Sequence, residues 1–435
     1  MKRKILNDLL TWKQSKANIP LMLVGARQVG KTYILDEFCK AHFKFYHYFN
    51  LEKDHEVKQI FDSTLDPIKI IDAISVLRNI DIEPTDTVVF FDEIQASERA
   101  ITSLKYFNEA NLGYRIVCAG SLLGVALNRF ETSYPVGKVR KQTLHPMDFE
   151  EFLWACGQQP LLEKIHSCFR SDAPMMDVLH QKALSYYRDY LYVGGMPASV
   201  LEYVGGDCRL AKYDSLIKRN IMEAYLYDMS KYTTNAEHLK ISKLYQSIPK
   251  QLNREHTKFV YKLVDEKAHK RSYETSIDWL VHSDMIYYCK LAEIPKLPLN
   301  VYEREGMFKI YLNDVGLLCE LAEIRPKDLY SDELNLYKGM LCENFIAQVL
   351  AVNGHSLHYW KAKQDAEIDF IVNLDGHVIP VEVKAATNTK SKSLKVYTEK
   401  YQPMYAIRVS AKNFGMHNNI KSVPLYAAYL IRSAT

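Results

Sequence analysis

The chain has 435 residues, of which 48% are hydrophobic and 25% are charged, so we expect a globular protein with more than one domain. A formal net charge of +4 neither requires nor excludes a nucleic-acid partner. The eight cysteines form no C-x-x-C pair, which argues against a disulfide framework or a zinc site. No apolar run approaches the length of a membrane span and the basic N-terminus does not resemble a secretory signal, so we expect a cytoplasmic protein without a membrane partner.

The first informative segment has the pattern G-x-x-x-x-G-K-[ST]. An apolar run over 19–24 predicts a buried parallel strand before it, and residues 33–40 predict a helix after it. This strand–loop–helix context distinguishes a phosphate-binding loop from a chance match. The predicted nucleotide-binding residues are Gly25, Ala26, Arg27, Gln28, Val29, Gly30, Lys31 and Thr32.

The residue types in this loop predict its chemistry. Gly25 and Gly30 allow successive backbone N–H groups to point at one phosphate, and the following helix adds its positive end. Lys31 would place its charge on the β- and γ-phosphates, and the Thr32 hydroxyl would ligate Mg²⁺. We therefore predict ATP and Mg²⁺ as ligands.

A second strand, over 87–91, ends in two acidic residues. Ligands of open α/β sheets lie at the carboxyl ends of the strands, so Asp92 would hold Mg²⁺ and Glu93 would activate the attacking water. The alternative is a buried strand that ends in two solvated acids. Because a phosphate-binding loop precedes this strand, we favour the catalytic interpretation of Asp92 and Glu93.

A third strand, over 114–119, is followed by Gly120 and Ser121. Ser121 would contact the γ-phosphate or the water as a catalytic sensor residue. A serine that caps the next helix is the alternative interpretation.

Five segments together resemble a known family: residues 25–32, 90–95, 119–121, 144–153 and 190–197. They are similar to a prokaryotic AAA-superfamily P-loop ATPase family, in which the ATPase domain is paired with a C-terminal domain of unknown function. The resemblance implies an α/β fold, ATP hydrolysis and a restriction-endonuclease-like core in the C-terminal domain.

The same resemblance leaves the arginine finger open. Many members have an arginine in the stretch where this chain has Lys138, and Arg129 and Arg140 are candidates. An AAA-type site often needs a basic residue from a neighbouring copy, so a homo-oligomer is one expected partner.

We divide the chain into four predicted regions: an AAA-like P-loop domain over 1–155, a helical subdomain over 156–237, a winged-helix-like module over 238–325 and a PD-(D/E)xK nuclease-like domain over 326–435. The winged-helix interpretation rests on helices followed by a strand pair near 286–289 and 308–312, with Lys262, Lys267, Lys270 and Arg271 available for phosphates. Packing between domains is the alternative use of this module.

The C-terminal region predicts a second site. A helix over 338–350 carries Glu343, and two strands joined by the turn Asp375–Gly376 carry Asp369, Glu382 and Lys384. This set resembles the PD-(D/E)xK nuclease core, in which the carboxylates bind Mg²⁺ and the lysine steadies the attacking water or the phosphate. The same residues would also form a salt-bridged site without activity, so cleavage stays open.

Two functions follow from these patterns. The first is a Mg²⁺-dependent ATPase that acts on, or is regulated by, double-stranded DNA or another nucleic acid through its winged-helix and nuclease-like region. The second is a nucleotide-controlled switch or scaffold that binds a protein partner and has an inactive nuclease-like domain.

Overall fold

The computed structural model describes residues 1–121, 135, 137–231, 233–253, 258–330, 335–362, 366–385 and 392–433, without the side chains of 330 and 335–337. The chain divides into two compact units. The first unit comprises Met1–His145 with His282–Asp284, and the second comprises Pro146–Val281 and Met285–Thr435. The boundaries between the four predicted regions stay predictions.

A parallel sheet forms the centre of the first unit. Within the described residues it has five strands in the order β2-β3-β4-β1-β5. The strands are β1 (Leu21–Val24), β2 (Phe45–Asn50), β3 (Thr87–Asp92), β4 (Arg115–Ala119) and β5 (Arg140–Thr143). The helices of this unit are α1 (Ile5–Gln14), α2 (Lys31–His42), α3 (His55–Ser63), α4 (Pro67–Arg78) and α5 (Glu98–Ala110).

The two central strands that were predicted from apolar runs are buried along their whole length. Every residue of β1 and β3 is buried. A parallel sheet covered on both faces requires such continuous apolar strands, because neither face meets water. The predicted α/β fold of this region, with a parallel sheet and a loop between β1 and α2, is therefore confirmed.

The second unit begins with helices, and side-chain capping stabilises the start of the first of them. Asp148 accepts a hydrogen bond from the Glu151 amide at 2.9 Å, and the Glu151 carboxylate accepts one from the Asp148 amide at 3.2 Å. This reciprocal pair is a capping box. The helices are α6 (Phe149–Ala155), α7 (Gln159–Ser171), α8 (Asp177–Val193), α9 (Pro197–Gly205), α10 (Leu216–Lys231), α11 (Asn235–Leu252), α12 (Lys270–His282), α13 (Val315–Leu321), α14 (Pro326–Tyr330), α15 (Asn335–Val352) and α16 (Lys392–Tyr401).

The glycine pair between α8 and α9 allows very close packing. A Cβ atom at Gly195 would lie 2.0 Å from the Met147 carbonyl oxygen, and one at Gly194 would lie 2.2 Å from Asp314 Oδ1. The Gly195 amide donates to Asp314 at 2.6 Å. The motif over 190–197 thus fixes the start of α6 and the start of α13 against the same turn.

The described strands of the second unit form one sheet in the order β12-β13-β11-β10-β9-β8-β6-β7. They are β6 (Ile286–Ala292), β7 (Glu303–Leu312), β8 (His358–Lys361), β9 (Glu367–Leu374), β10 (His377–Val383), β11 (Ala406–Ser410), β12 (Gly415–His417) and β13 (Ile420–Pro424). Asp375 and Gly376 both have positive φ and join β9 to β10, as the predicted two-residue hairpin turn requires.

The strand pair predicted for the middle of the chain is present. Ile286 pairs with Leu312 in an antiparallel register, and Lys290 of β6 also pairs in parallel with His358 of β8. The pair therefore extends the sheet of the C-terminal strands. The winged-helix interpretation stays a prediction. No helix in the described parts of the chain is long and apolar enough to cross a membrane.

Candidate functional site

The loop between β1 and α2 has the backbone geometry of a phosphate cradle. Gly25 has φ +138°, and a Cβ atom at this position would lie 2.2 Å from the Leu144 carbonyl oxygen. Gly30 has φ 92° and lies at the N-cap of α2. Only glycine adopts the first conformation in this space, so the loop stays open toward the N-terminus of the helix, where an anion binds.

Buried side chains and a hydrogen bond hold the rest of the loop in place. Ala26 and Val29 are buried, and Gln28 has φ 63°. The Val29 carbonyl accepts a hydrogen bond from Arg3 at 3.0 Å. These contacts fix the backbone of the loop independently of a ligand. Arg27 lies between them with a half-buried side chain.

The Lys31 side chain points into the phosphate-binding loop. Its Nζ donates to the carbonyl oxygens of Gly25 at 2.9 Å and Ala26 at 2.8 Å. Burial lowers the pKa of the Lys31 ammonium to about 8, and the nearby Glu93 carboxylate opposes this shift. The ammonium is thus held within the cradle by weak acceptors, which a phosphate would outcompete.

Thr32 and Asp92, the two predicted Mg²⁺ ligands, are in contact. Thr32 Oγ1 lies 3.2 Å from Asp92 Oδ1 and 3.1 Å from Oδ2. Asp92 is buried at the end of β3, and its Oδ1 also accepts from the Glu93 amide at 3.0 Å. A hydroxyl and a carboxylate at the carboxyl edge of a parallel sheet are suitable oxygen donors for Mg²⁺, so this pair fits the ion.

Sequence reasoning missed a third residue at this position. The Tyr48 hydroxyl donates to Asp92 Oδ2 at 2.9 Å. Burial raises the pKa of Tyr48 to about 12, so the hydroxyl is a neutral donor at pH 7. Tyr48 lies on β2, which pairs with β3. A polar tyrosine near the end of the strand that neighbours Asp92 was the available signal.

Glu93, the predicted base, is also held by a residue that the sequence did not single out. Glu93 has φ 49°, in the left-handed region, and its carboxylate accepts a short hydrogen bond from Gln95 Nε2. Gln95 therefore sets the direction of the Glu93 carboxylate. Ser121 is buried just after β4, the strand between β1 and β3. Its role as a sensor stays a prediction.

The candidates for an arginine finger have different positions. Arg129 lies outside the described residues. Arg140 opens β5 with a half-buried side chain, and Lys138 Nζ lies 3.4 Å from Glu109 Oε1. The identity of the finger stays open.

The predicted nuclease-like residues lie on the expected elements of the second unit. Glu343 is on α15, Asp369 on β9 and Glu382 on β10, with Lys384 just beyond β10. The backbone pairing of β9 with β10 ends at Phe370 and Val381.

Beyond that point the two strands are joined through a side chain. Asp369 Oδ2 accepts from the Val383 amide at 2.8 Å. Lys384 Nζ lies 3.4 Å from Glu382 Oε1, and Arg408 Nε lies 3.7 Å from Glu382 Oε2. Glu382 is therefore neutralised by two basic side chains.

Lys309 and Glu367 of this region were not predicted as site residues. Lys309 of β7 is buried, and its Nζ lies 3.0 Å from Glu343 Oε1 and 2.7 Å from Glu367 Oε1. Burial alone would lower the pKa of Lys309, but the carboxylates of Glu343, Glu367 and Asp369 outweigh it and the pKa is raised. Lys309 is thus a buried ammonium ion among carboxylates.

Electrostatic effects also differ among the acids. Burial and the neighbouring Glu343 carboxylate raise the pKa of Asp369 to about 7. Burial raises the pKa of Glu367, but the interactions with Lys309 and Lys361 together outweigh burial and the net pKa is lowered. Asp369 therefore binds a proton near neutrality, whereas Glu367 stays ionised.

The basic residues proposed for a winged helix are partly engaged. Lys270 Nζ lies 2.6 Å from Glu305 Oε1. Lys262, Lys267 and Arg271 have exposed side chains. Their contact with phosphates stays a prediction.

Comparison with known families divides the chain into three matched segments. Residues 17–153 match an AAA domain, residues 184–328 match a domain of unknown function (DUF8612), and residues 338–428 match another domain of unknown function (DUF4143). The match over 17–153 and the geometry of its loop agree, so this segment is an AAA-type P-loop ATPase domain. That part of the expected resemblance is confirmed, and the restriction-endonuclease-like core stays a prediction.

Relatives and structures of known proteins share parts of the chain. It is 37% identical over 90 residues to the uncharacterized protein Rv2008c of Mycobacterium tuberculosis, which covers 20% of each chain. It is 25% identical over 226 residues to the uncharacterized protein MJ1544 of Methanocaldococcus jannaschii, which covers 52% of this chain and 44% of that protein. The matches thus span less than half of these relatives.

Among solved structures, the Aeropyrum pernix ORC2 protein in its ADPNP–ADP complexes is similar with a TM-score of 0.38 and 13% identity. The likeness covers 77% of this chain and 90% of that one. At this TM-score it adds no argument to the AAA family match.

Proposed function

We propose that the AAA-type domain binds Mg²⁺-ATP at Gly25–Thr32 and hydrolyses it, with Glu93 as the general base. The single observation that supports this most strongly is the contact of the Thr32 hydroxyl with both Asp92 oxygens, at 3.2 and 3.1 Å. It joins the phosphate-binding loop to the acidic end of β3 at one point. Thr32 and Asp92 would hold Mg²⁺, which would neutralise charge on the phosphates.

The chain's own groups then have separate tasks. The amides of the loop and the N-terminus of α2 bind the phosphates, and Lys31 leaves its carbonyl acceptors to contact them. Glu93 receives the proton of the attacking water, and Gln95 orients its carboxylate. Ser121, at the end of the neighbouring strand, contacts the γ-phosphate or that water.

Two variants test this proposal by direct measurement. Lys31→Ala removes the ammonium and should abolish ATP binding. Glu93→Gln keeps the shape of the side chain and should bind ATP while losing hydrolysis. Tight ATP binding by Lys31→Ala would contradict the assignment.

We further propose that the protein acts on nucleic acid through its second unit, or that nucleic acid regulates its ATP turnover through that unit. The basic residues Lys262, Lys267 and Arg271 and the nuclease-like elements support this proposal. ATP turnover should rise in the presence of double- or single-stranded DNA. Unchanged turnover, together with no DNA binding, would favour the second candidate.

The second candidate is a nucleotide-controlled switch that binds a protein partner. The observation in its favour is that Glu382 and Glu343 are paired with basic side chains rather than left open to a substrate. In this case Asp369→Ala with Glu382→Ala should change nothing in a Mg²⁺ or Mn²⁺ cleavage assay.

Light scattering with and without ATP tests whether copies of the chain assemble to supply an arginine finger.

A further inference from the structure

A buried lysine lies where the nuclease-like interpretation would place a cation. Lys309 is 2% exposed, and its Nζ is 3.0 Å from Glu343 Oε1 and 2.7 Å from Glu367 Oε1. We refer to Lys309, Tyr311, Glu343, Glu367 and Asp369 as the Lys309 cluster. Its lysine comes from β7, a strand far in sequence from the strand pair that carries Asp369.

Four of the six carboxylate oxygens of the Lys309 cluster already lie next to a donor. Glu343 Oε1 also accepts from the Tyr311 hydroxyl at 2.5 Å. The second oxygen of Glu367 lies 3.5 Å from Lys361 Nζ. Asp369 Oδ2 is taken by the Val383 amide. A divalent ion would have to displace these donors before it could gain its own oxygen ligands.

The charges in this region balance without a metal ion. Glu382, the remaining predicted ligand, is paired with Lys384 and Arg408. Within the described parts of the chain, the carboxylates of Glu343, Glu367 and Glu382 form ion pairs with the basic groups of Lys309, Lys361, Lys384 and Arg408. Asp369 adds a fourth carboxyl group, which accepts a hydrogen bond from the Val383 amide.

The donor set therefore does not fit a divalent cation. Metal sites of hydrolases have a surplus of negative charge and open coordination positions. In the described part of the chain, no group of three or more His, Cys, Asp or Glu side chains could hold a metal ion. The Lys309 ammonium also lies within hydrogen-bond distance of two of the carboxylates and would repel an incoming cation.

We propose that Lys309 is the resident cation of the nuclease-like site and takes the place of a divalent metal ion. The Lys309 cluster then joins α15 to β7 and β9 by charge-assisted hydrogen bonds, and the site does not support metal-assisted cleavage. The inference concerns the second unit alone and holds whether or not the AAA-type domain hydrolyses ATP.

Manganese titration of the full chain tests this proposal. All proteins carry Asp92→Asn, which removes the metal ligand of the nucleotide site, and free Mn²⁺ is followed by electron paramagnetic resonance without nucleotide. We expect the parent to bind no Mn²⁺ through Asp369. Lys309→Met should gain one Mn²⁺ site, at least about tenfold tighter than any residual binding by the parent, since removal of the ammonium leaves an excess of carboxylates. Adding Asp369→Asn to Lys309→Met should abolish the gain.

The matched control is Lys218→Met. Lys218 is also fully buried in the second unit, and its Nζ donates to the Tyr192 carbonyl at 2.9 Å. This variant also removes a buried ammonium, but the ion pair of that ammonium is with the single carboxylate of Glu320, at 3.9 Å, so the variant should gain no Mn²⁺ site. A folded Lys309→Met protein that gains no site would overturn the proposal.

A comparison that needs no change at Lys309 keeps the proposal testable if that variant does not fold. The parent and its Asp369→Asn form should bind Mn²⁺ equally. Binding by the parent that is lost in the Asp369→Asn form would show a functional metal site and overturn the inference. ATP binding by protein with Asp92 intact is measured separately, so failure of the proposed ATPase function is distinguishable.

Discussion

The Tyr48 hydroxyl donates a hydrogen bond to Asp92 Oδ2 at 2.9 Å, across the pairing of β2 with β3. Thr32 approaches the same carboxylate from the phosphate-binding loop. Asp92 is thus held between two hydroxyl groups from different elements. Because a metal ligand must keep one orientation, Tyr48 is a positioning residue for the magnesium site.

Tyr48→Phe should weaken the use of Mg²⁺ more than the binding of ATP. A hydrogen bond to a charged group contributes about 1.5–3 kcal/mol, so we expect the half-saturating Mg²⁺ concentration for ATPase activity to rise about tenfold. Saturating Mg²⁺ should restore most of kcat. Steady-state ATPase assays at varied Mg²⁺ measure both quantities.

Tyr46→Phe is the matched control for this prediction. Tyr46 lies on the same strand and donates to a carboxylate, Asp36, at 2.8 Å. It should leave the Mg²⁺ dependence unchanged. Equal behaviour of the two variants would argue against a positioning role for Tyr48.

Gln95→Ala should lower kcat by about tenfold without changing the KM for ATP. The variant removes the hydrogen bond that orients the Glu93 carboxylate. A tenfold loss of kcat corresponds to the free energy of a hydrogen bond to a charged acceptor. Asn108→Ala, which removes a half-buried amide elsewhere in the first unit, is the control. A proportional change in KM would indicate a role in binding instead.

Gly25→Ala should destroy the nucleotide site. The added Cβ would lie 2.2 Å from the Leu144 carbonyl oxygen at a φ of +138°, so the loop or the neighbouring backbone must shift. We expect loss of ATP binding and a destabilisation of about 1–3 kcal/mol, measured by calorimetry and thermal unfolding.

Gly157→Ala provides the comparison for that variant. Gly157 has φ +68° with no atom within 4 Å of an added Cβ. Its substitution carries only the cost of the left-handed conformation, about 1–2 kcal/mol, and should preserve ATP binding. Retained ATP binding by Gly25→Ala would contradict the role of Gly25 in the cradle.

His180 should make the second unit sensitive to mild acid. Its ring nitrogens lie 2.7 Å from the Tyr426 hydroxyl and 3.1 Å from the Ala411 carbonyl, and burial lowers its pKa below the unfolded value. Unfolding therefore takes up a proton once the pH falls below about 6.5, and the free energy of unfolding decreases through this range.

His180→Gln should flatten this acid dependence. Chemical denaturation between pH 7.5 and 5.5 measures the change in unfolding midpoint, and the variant should lose less stability than the parent over this interval. His417→Gln, at an exposed position, should retain the parent's dependence. Identical slopes for His180→Gln and the parent would contradict the prediction.

The local motifs of the fold were predictable because their physics is local. The span Gly25–Thr32 contains the backbone donors, the glycines and the helix start that a phosphate needs. Asp375 and Gly376 likewise determine a hairpin turn through their own φ angles. These features needed no knowledge of which strands become neighbours.

The partners of the site residues depended on tertiary structure. Tyr48 reaches Asp92 only because β2 lies beside β3, and Lys309 reaches Glu343 and Glu367 only because the pair β6–β7 joins the C-terminal sheet. The sequence by itself determined that the chain has a nucleotide cradle and a set of acidic residues near a lysine. The packing of distant strands decided that a different lysine, Lys309, is buried among those acids, because strand order brings together charges that are far apart in sequence.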